Sequence, residues 1–156
     1  LPGTKPHDLL IFLTNRVGRQ LSRLMLEQME FEGFLPQSTH MGLVADLVGN
    51  DGLRQQDLAI STIKDKGTVA RALKQLESAG LLMRQIDADD RRQKLIRLTD
   101  KGNRLWQFAQ SKATETMVTA THDIEQTEFD TCIDVLKRVY QNLHQQLSIP
   151  QTSSHE

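Results

Sequence analysis

Residues 87–102 read DADDRRQKLIRLTDKG. A tight turn rich in Asp and Arg separates two short segments of strand character, Leu81 to Ile86 and Gln93 to Leu98. This spacing predicts a β-hairpin with its loop at 87–92. Thr99 is placed to cap a new helix. The hairpin would hold paired arginines on a loop tip, where a cation suits the narrow, negatively charged minor groove of DNA. Many charged turns are simply solvated, so the residues in front of the hairpin carry much of the weight.

Those residues run KGTVARALKQLESAG from Lys66. Asp65 is a suitable N-cap, Gly80 stands at the C′ position, and Val69, Ala72, Leu73 and Leu76 recur at helical spacing to form one apolar face. Lys66, Gly67, Thr68, Ala70, Arg71 and Lys74 lie off that face, with Gln75 beside them. A shorter helix is predicted over about 55–61, with Leu58 and Ala59 inward. The run Gly49-Asn50-Asp51-Gly52 ends an earlier helix at about 37–48, whose apolar face is Met41, Val44, Leu47 and Val48. Two short helices, a turn and a hairpin make a winged helix-turn-helix. Its second helix fits the major groove because small and polar residues cover its outer face. Arg71 has the geometry to bridge guanine O6 and N7, and Lys66 and Thr68 have the reach for bases or phosphates.

The flanks read as long amphipathic helices. One runs from Asp8 to about Glu30 with Leu10, Leu13, Val17, Leu21, Leu24, Met25 and Met29 in a stripe. Another follows Thr99 to about Thr121, with Leu105, Ala109, Ala113, Met117 and Ala120 inward and Trp106 and Phe108 flanking. The last, 128–147, has a seam of Phe129, Cys132, Ile133, Leu136, Val139, Tyr140, Leu143 and Leu147. A winged helix is complete without these seams, so they must pack elsewhere. Intertwining with a second copy would bury them and give a twofold dimer with recognition helices about 34 Å apart, matched to a pseudo-palindromic operator. A monomeric bundle is the competing arrangement. The expected class is mainly α with a small β-hairpin wing. A helical dimerisation region (1–34 and 104–149) would flank a DNA-binding lobe (35–103), followed by a disordered polar tail (150–156).

Charge distribution supports the central lobe. The net charge of 156 residues is −1, but residues 54–104 hold 12 Lys/Arg against 7 Asp/Glu and the remainder 7 against 13. A basic lobe on an acidic body binds phosphates locally; an enzyme with an anionic substrate would show the same asymmetry. No apolar run has the length of a membrane span. The start, LPGTKPHD, has no apolar leader segment, and one cysteine makes no disulfide framework. Together these predict a cytoplasmic protein. No glycine-rich phosphate loop, nucleophile motif or paired carboxylate for acid/base work is present, so neither an enzyme nor a cofactor is expected. The five histidines make no His-x-x-x-His pair and no Cys/His cluster, so no metal site is expected, although a metal-responsive regulator stays open as an alternative.

The run DLAISTIKDKGTVARALKQLESAGLL followed by DADDRRQKLIRLTDKG resembles the MarR family of bacterial transcriptional regulators. The likeness spans about 35–105 by motif and nearly the whole chain by helix order. Its most specific mark is Asp90, Arg92, Leu98, Thr99 and Gly102. The resemblance implies that Arg92 enters the minor groove with Asp90 orienting its guanidinium, while Arg91 and Lys94 add wing contacts. It also implies an obligate homodimer, usually a repressor, released by a small molecule or an oxidant. Where the family often has Thr at the start of the first motif helix, this chain has Arg54, which is expected with Lys64 to meet the DNA backbone. No cysteine lies near the start of the first helix, where oxidation-sensing members carry one. Cys132 is expected to be a buried structural thiol on the last seam, which disfavours a redox-responsive regulator. The resemblance places the effector pocket where dimer helices meet the lobe, with Phe12, Arg16, His40, Met41 and Trp106 as its candidate lining, an Arg or His holding a carboxylate and apolar groups holding a ring. A winged helix serving an acidic protein partner is the other functional alternative.

Overall fold

The computed structural model describes residues 5, 9–50, 52–58, 64–88 and 90–148. The order is α1 (Leu10–Leu26), α2 (Ser38–Leu47), a single 3-10 turn (Gln55–Asp57), α3 (Lys66–Ser78), β1 (Leu82–Ile86), β2 (Lys94–Leu98), α4 (Asp100–Ala120) and α5 (Gln126–Ser148). The chain forms two compact units, 1–117 and 118–156. The helix expected to reach back to Asp8 and on to Glu30 is shorter at both ends. Beyond its last turn the chain makes a tight hairpin, with Phe31 and Phe34 exchanging backbone bonds of 2.9 and 2.8 Å. The 3-10 turn covers the start of the first motif helix expected over about 55–61, and residues 59–61 lie outside the described residues. Leu58 is buried as predicted, while Ala59 and the 150–156 tail lie outside the described residues.

The first unit is held by one apolar core. Leu43, Val44 and Leu47 of α2 meet Leu73 and Leu76 of α3, Leu82 and Ile96 of the hairpin, and Leu105 and Ala109 of α4, all buried. Trp106 and Phe108 flank the core as expected. β1 and β2 are antiparallel, Leu82 facing Leu98 and Ile86 facing Lys94. Leu53 adds a one-residue third strand by exchanging two bonds with Ile96 (3.1 and 2.8 Å). No sequence signal marked it, because a lone bridge has no alternation to detect.

Two junctions fix α3 against its neighbours. At its far end Gly80 takes φ +72°, a left-handed conformation that glycine adopts without steric cost. At the start of α4, Thr99 Oγ1 accepts from the Gly102 N–H (3.1 Å) and donates to the Gly80 carbonyl (2.7 Å). A Cβ on Gly102 would lie 2.0 Å from the Leu81 carbonyl oxygen. Hairpin and helix approach this closely only because no side chain intervenes.

Further along α4 the buried position is Thr116. Ala113 and Met117 are half-buried and Ala120 is exposed, so the expected stripe drifts from the face that packs. On α5, Phe129, Ile133, Leu136 and Val139 are half-buried, and Tyr140 and Leu143 are exposed. Cys132, expected to be buried, is exposed. No described side chain of α5 is buried in this single chain, so the seam position alone does not cover the thiol.

Candidate nucleic-acid interface

The start of α3 is organised by Asp65. Its Oδ1 accepts from the Thr68 N–H (2.9 Å), and its Oδ2 accepts from the Thr68 hydroxyl (2.6 Å). The cap expected from sequence is thus present. The Thr68 hydroxyl and then its N–H hold the Asp65 carboxyl below the ordinary carboxylate range. Thr68 Oγ1 also accepts from Arg71 Nη2 at 3.2 Å. A chain of three side chains spanning nearly two helical turns therefore steadies Arg71 on the outer face. Val69, Ala72, Leu73 and Leu76 are buried as predicted, and Lys66, Gly67, Ala70, Arg71 and Lys74 are exposed, with Thr68 half-exposed.

In the wing, the Asp87 N–H donates to the Gln93 carbonyl (3.0 Å), and the Gln93 N–H donates to the Asp90 carbonyl (2.9 Å). Asp90 Oδ1 accepts from the Arg92 backbone N–H (3.0 Å), and Oδ2 accepts from Gln93 Nε2 (2.9 Å). Asp90 therefore shapes the turn beneath Arg92 rather than gripping its guanidinium. A short Asp side chain two residues back reaches the backbone N–H most easily, as in an Asx-turn. Gln93 is a wing residue that the sequence reading missed, since nothing in a polar loop residue announces two contacts with Asp90.

The basic residues of the lobe sort into two sets. Arg84 pairs with Glu77 (3.2 Å), Lys101 and Arg104 with Glu32 (3.7 and 3.3 Å), and Arg54 with Asp87 (3.2 Å). Lys64, Lys66, Arg71, Lys74, Arg91, Arg92 and Lys94 have no carboxylate partner among the described residues. These seven are cations assigned to DNA from sequence; Arg54, also assigned to DNA, is paired, and Arg97 of β2 likewise lacks a carboxylate partner among the described residues but has its Nε buried. Arg54, Lys66, Gln93 and Lys94 line a groove of about 450 Å³ between α3 and the wing. A concave surface lined by lysines and amides, beside a helix with a small outer face, has the chemistry to hold phosphate and base edges.

The five residues assigned to an effector are placed variously. Phe12 and Arg16 are exposed, one turn apart on α1. Met41 is in the core and Trp106 packs against it. His40 is 3% exposed. Its Nδ1 accepts from the Gln37 N–H (3.0 Å), closing a capping box at the start of α2, and its Nε2 lies 2.8 Å from Gln75 Oε1 on α3. With Nδ1 accepting, the proton is on Nε2 and is donated to Gln75. Both nitrogens are therefore occupied. His40 borders a groove with Phe34, Gln37, Lys74 and Gln75, which none of the other four residues lines. Among the described residues no three His, Cys, Asp or Glu side chains are grouped to hold a metal ion, and no helix is long and apolar enough to cross a membrane.

Comparison with known proteins agrees with this geometry. The model of the MarR family matches residues 38–94. The helix-turn-helix type transcriptional regulator YdgJ of Bacillus subtilis (strain 168) is 31% identical over 106 residues, 68% of this chain and 65% of its own length. The chain thus spans about 65% of that relative. Among solved structures, that of MarR superposes with a TM-score of 0.80 at 18% identity, covering 92% of this chain and 96% of the other. CouR from Rhodococcus jostii RHA1, bound to p-coumaroyl-CoA, gives 0.71 at 23% identity, covering 88% and 95%.

Proposed function

This chain is a member of the MarR family of transcriptional regulators, and from that premise we propose that it binds a pseudo-palindromic operator as a homodimer, represses transcription in the cytoplasm, and is released by a small-molecule effector. Members of the family are regulators, not enzymes. The observation that carries the DNA reading is the sorting of the basic residues. Four of the twelve are tied to carboxylates among the described residues, and of the eight left over all but Arg97 occupy the outer face and approach of α3 and the wing. Uncompensated cations on one helix face and one loop supply the phosphate-binding term that dominates affinity for duplex DNA. Arg71 would read a base edge in the major groove, and Arg92 would enter the minor groove alongside.

The effector reading draws on structures such as CouR, whose crystals hold p-coumaroyl-CoA. Of the five residues proposed to hold an effector here, Phe12 and Arg16 offer exposed side chains on α1, a ring contact and a cation one turn apart. His40 already spends both nitrogens on Gln37 and Gln75, so its contribution would be through the groove wall rather than a free ring nitrogen.

The test is equilibrium DNA binding by fluorescence anisotropy. Arg92→Ala weakens binding to all sequences and lowers the salt slope by about one, whereas Arg71→Ala also relaxes base preference, each at a cost of about 1–3 kcal/mol. Wild-type affinity in both variants would remove α3 and the wing from the interface.

A further inference from the structure

Arg54 and Asp87 are 33 residues apart in sequence and meet at the base of the wing, with Arg54 Nη2 donating to Asp87 Oδ2 at 3.2 Å. Asp87 is 7% exposed. A carboxylate at that depth is costly to leave without a cation, so the pair is more than a solvated surface contact. Both partners are anchored by backbone. The residue before Arg54, Leu53, exchanges two bonds with Ile96 of β2, and Asp87 donates its own N–H to Gln93 to close the hairpin. The contact therefore ties the segment entering the 3-10 turn to the first residue of the wing loop.

We propose that Arg54 and Asp87 are positioning residues for the DNA interface. Their ion pair sets the stance of the wing, with Arg91, Arg92 and Lys94, against α3, and Arg54 does not itself contact a phosphate. This rests on the DNA-binding reading given above. The two possible roles of Arg54 predict opposite signs at Asp87. If Arg54 met phosphate, Asp87→Asn would remove a competing negative charge and tighten binding to a polyanion. If the pair is a strut, the same substitution releases the wing and weakens binding.

The experiment measures DNA affinity across a salt series for Arg54→Met, Asp87→Asn, the double variant and Arg54→Lys, each confirmed folded by its melting transition. It is paired with hydrogen exchange on the protein without DNA. The expected result is a loss of about tenfold in either single variant, equivalent to about 1.4 kcal/mol. The double variant loses no more than a single one, Arg54→Lys recovers part of the affinity, and the salt slope stays that of wild type. The Asp87 amide exchanges faster in both single variants while the core amides of α3 do not change. Tighter binding by Asp87→Asn, or a slope lowered by about one in Arg54→Met, overturns the proposal. Unchanged exchange at the Asp87 amide does so without reference to DNA. Failure of the wild-type protein to bind DNA at low salt would overturn the DNA reading itself, and the exchange data would still decide whether the pair restrains the wing.

Discussion

At Gly102 a single hydrogen atom decides whether the winged helix closes. The position a Cβ would occupy is 2.0 Å from the Leu81 carbonyl oxygen, and that oxygen already accepts from the Thr99 N–H at 3.1 Å. Gly102→Ala is predicted to cost about 3 kcal/mol, as overpacking against immovable backbone does. Gly18, in the middle of α1, has nothing within 4 Å of its Cβ position, so Gly18→Ala should leave stability equal or improve it by up to about 1 kcal/mol. Urea denaturation of the two variants checks both. Asp65 adds a pH test. Its carboxyl is depressed by the Thr68 hydroxyl and N–H, so the cap stabilises the fold above the ordinary aspartate pKa of about 3.9. That contribution is lost as pH falls through the lower folded-state value. Asp65→Ala should lower Tm at neutral pH, and the gap from wild type should close below the ordinary carboxylate range. A constant gap across that window would show that ionisation of the Asp65 carboxyl contributes nothing to folding.

At the scale of elements, the wing is a turn built by Asp90 and presented by β1 and β2. Asp90→Ala removes bonds to the Arg92 N–H and to Gln93, and leaves both arginines in place. DNA affinity should fall by about tenfold with the salt slope intact, because positioning is lost and no phosphate contact is. A slope change equal to that of Arg92→Ala would mean that Asp90 acts through charge instead. The elements themselves were largely legible. The apolar face of α3, its Asp65 cap, the Gly80 terminus and both strands are local patterns, and they stand within a residue of expectation. Contacts between side chains distant in sequence were not legible. His40 with Gln75, Arg54 with Asp87, and the Leu53 bridge each join residues more than 30 positions apart, and composition and periodicity carry no such information. Hence the partners that Arg54 and His40 take in the fold, Asp87 and Gln75, have no signal in the sequence. The charge count had the same limit. It found a basic lobe but could not tell Arg84, Lys101 and Arg104, which are neutralised by Glu77 and Glu32, from the cations with no carboxylate partner among the described residues.

For the molecule as a whole, the unpartnered apolar surface argues for self-association. Leu10, Ile11, Phe12, Leu13 and Val17 of α1 are exposed, Ile11 by 73%, and so are Val135, Tyr140 and Leu143 of α5. Stripes of this size seldom face water in a stable monomer. Under the proposed dimer, sedimentation equilibrium gives a mass near twice 17.7 kDa. Leu13→Asp shifts that mass toward the monomer and weakens operator binding, since two linked recognition helices lose their avidity. A wild-type mass of one chain at micromolar concentration would contradict the dimer and, with it, the pseudo-palindromic operator.

In the proposed function, α3 and the wing read DNA by sequence. The most direct test of that reading is an equilibrium titration against DNA from immediately upstream of the protein's own gene, with scrambled DNA of equal length as competitor. The expected result is tight binding of one dimer per site that survives the competitor and weakens steeply with added salt. Equal affinity for both DNAs, or no binding at low salt, would contradict that reading.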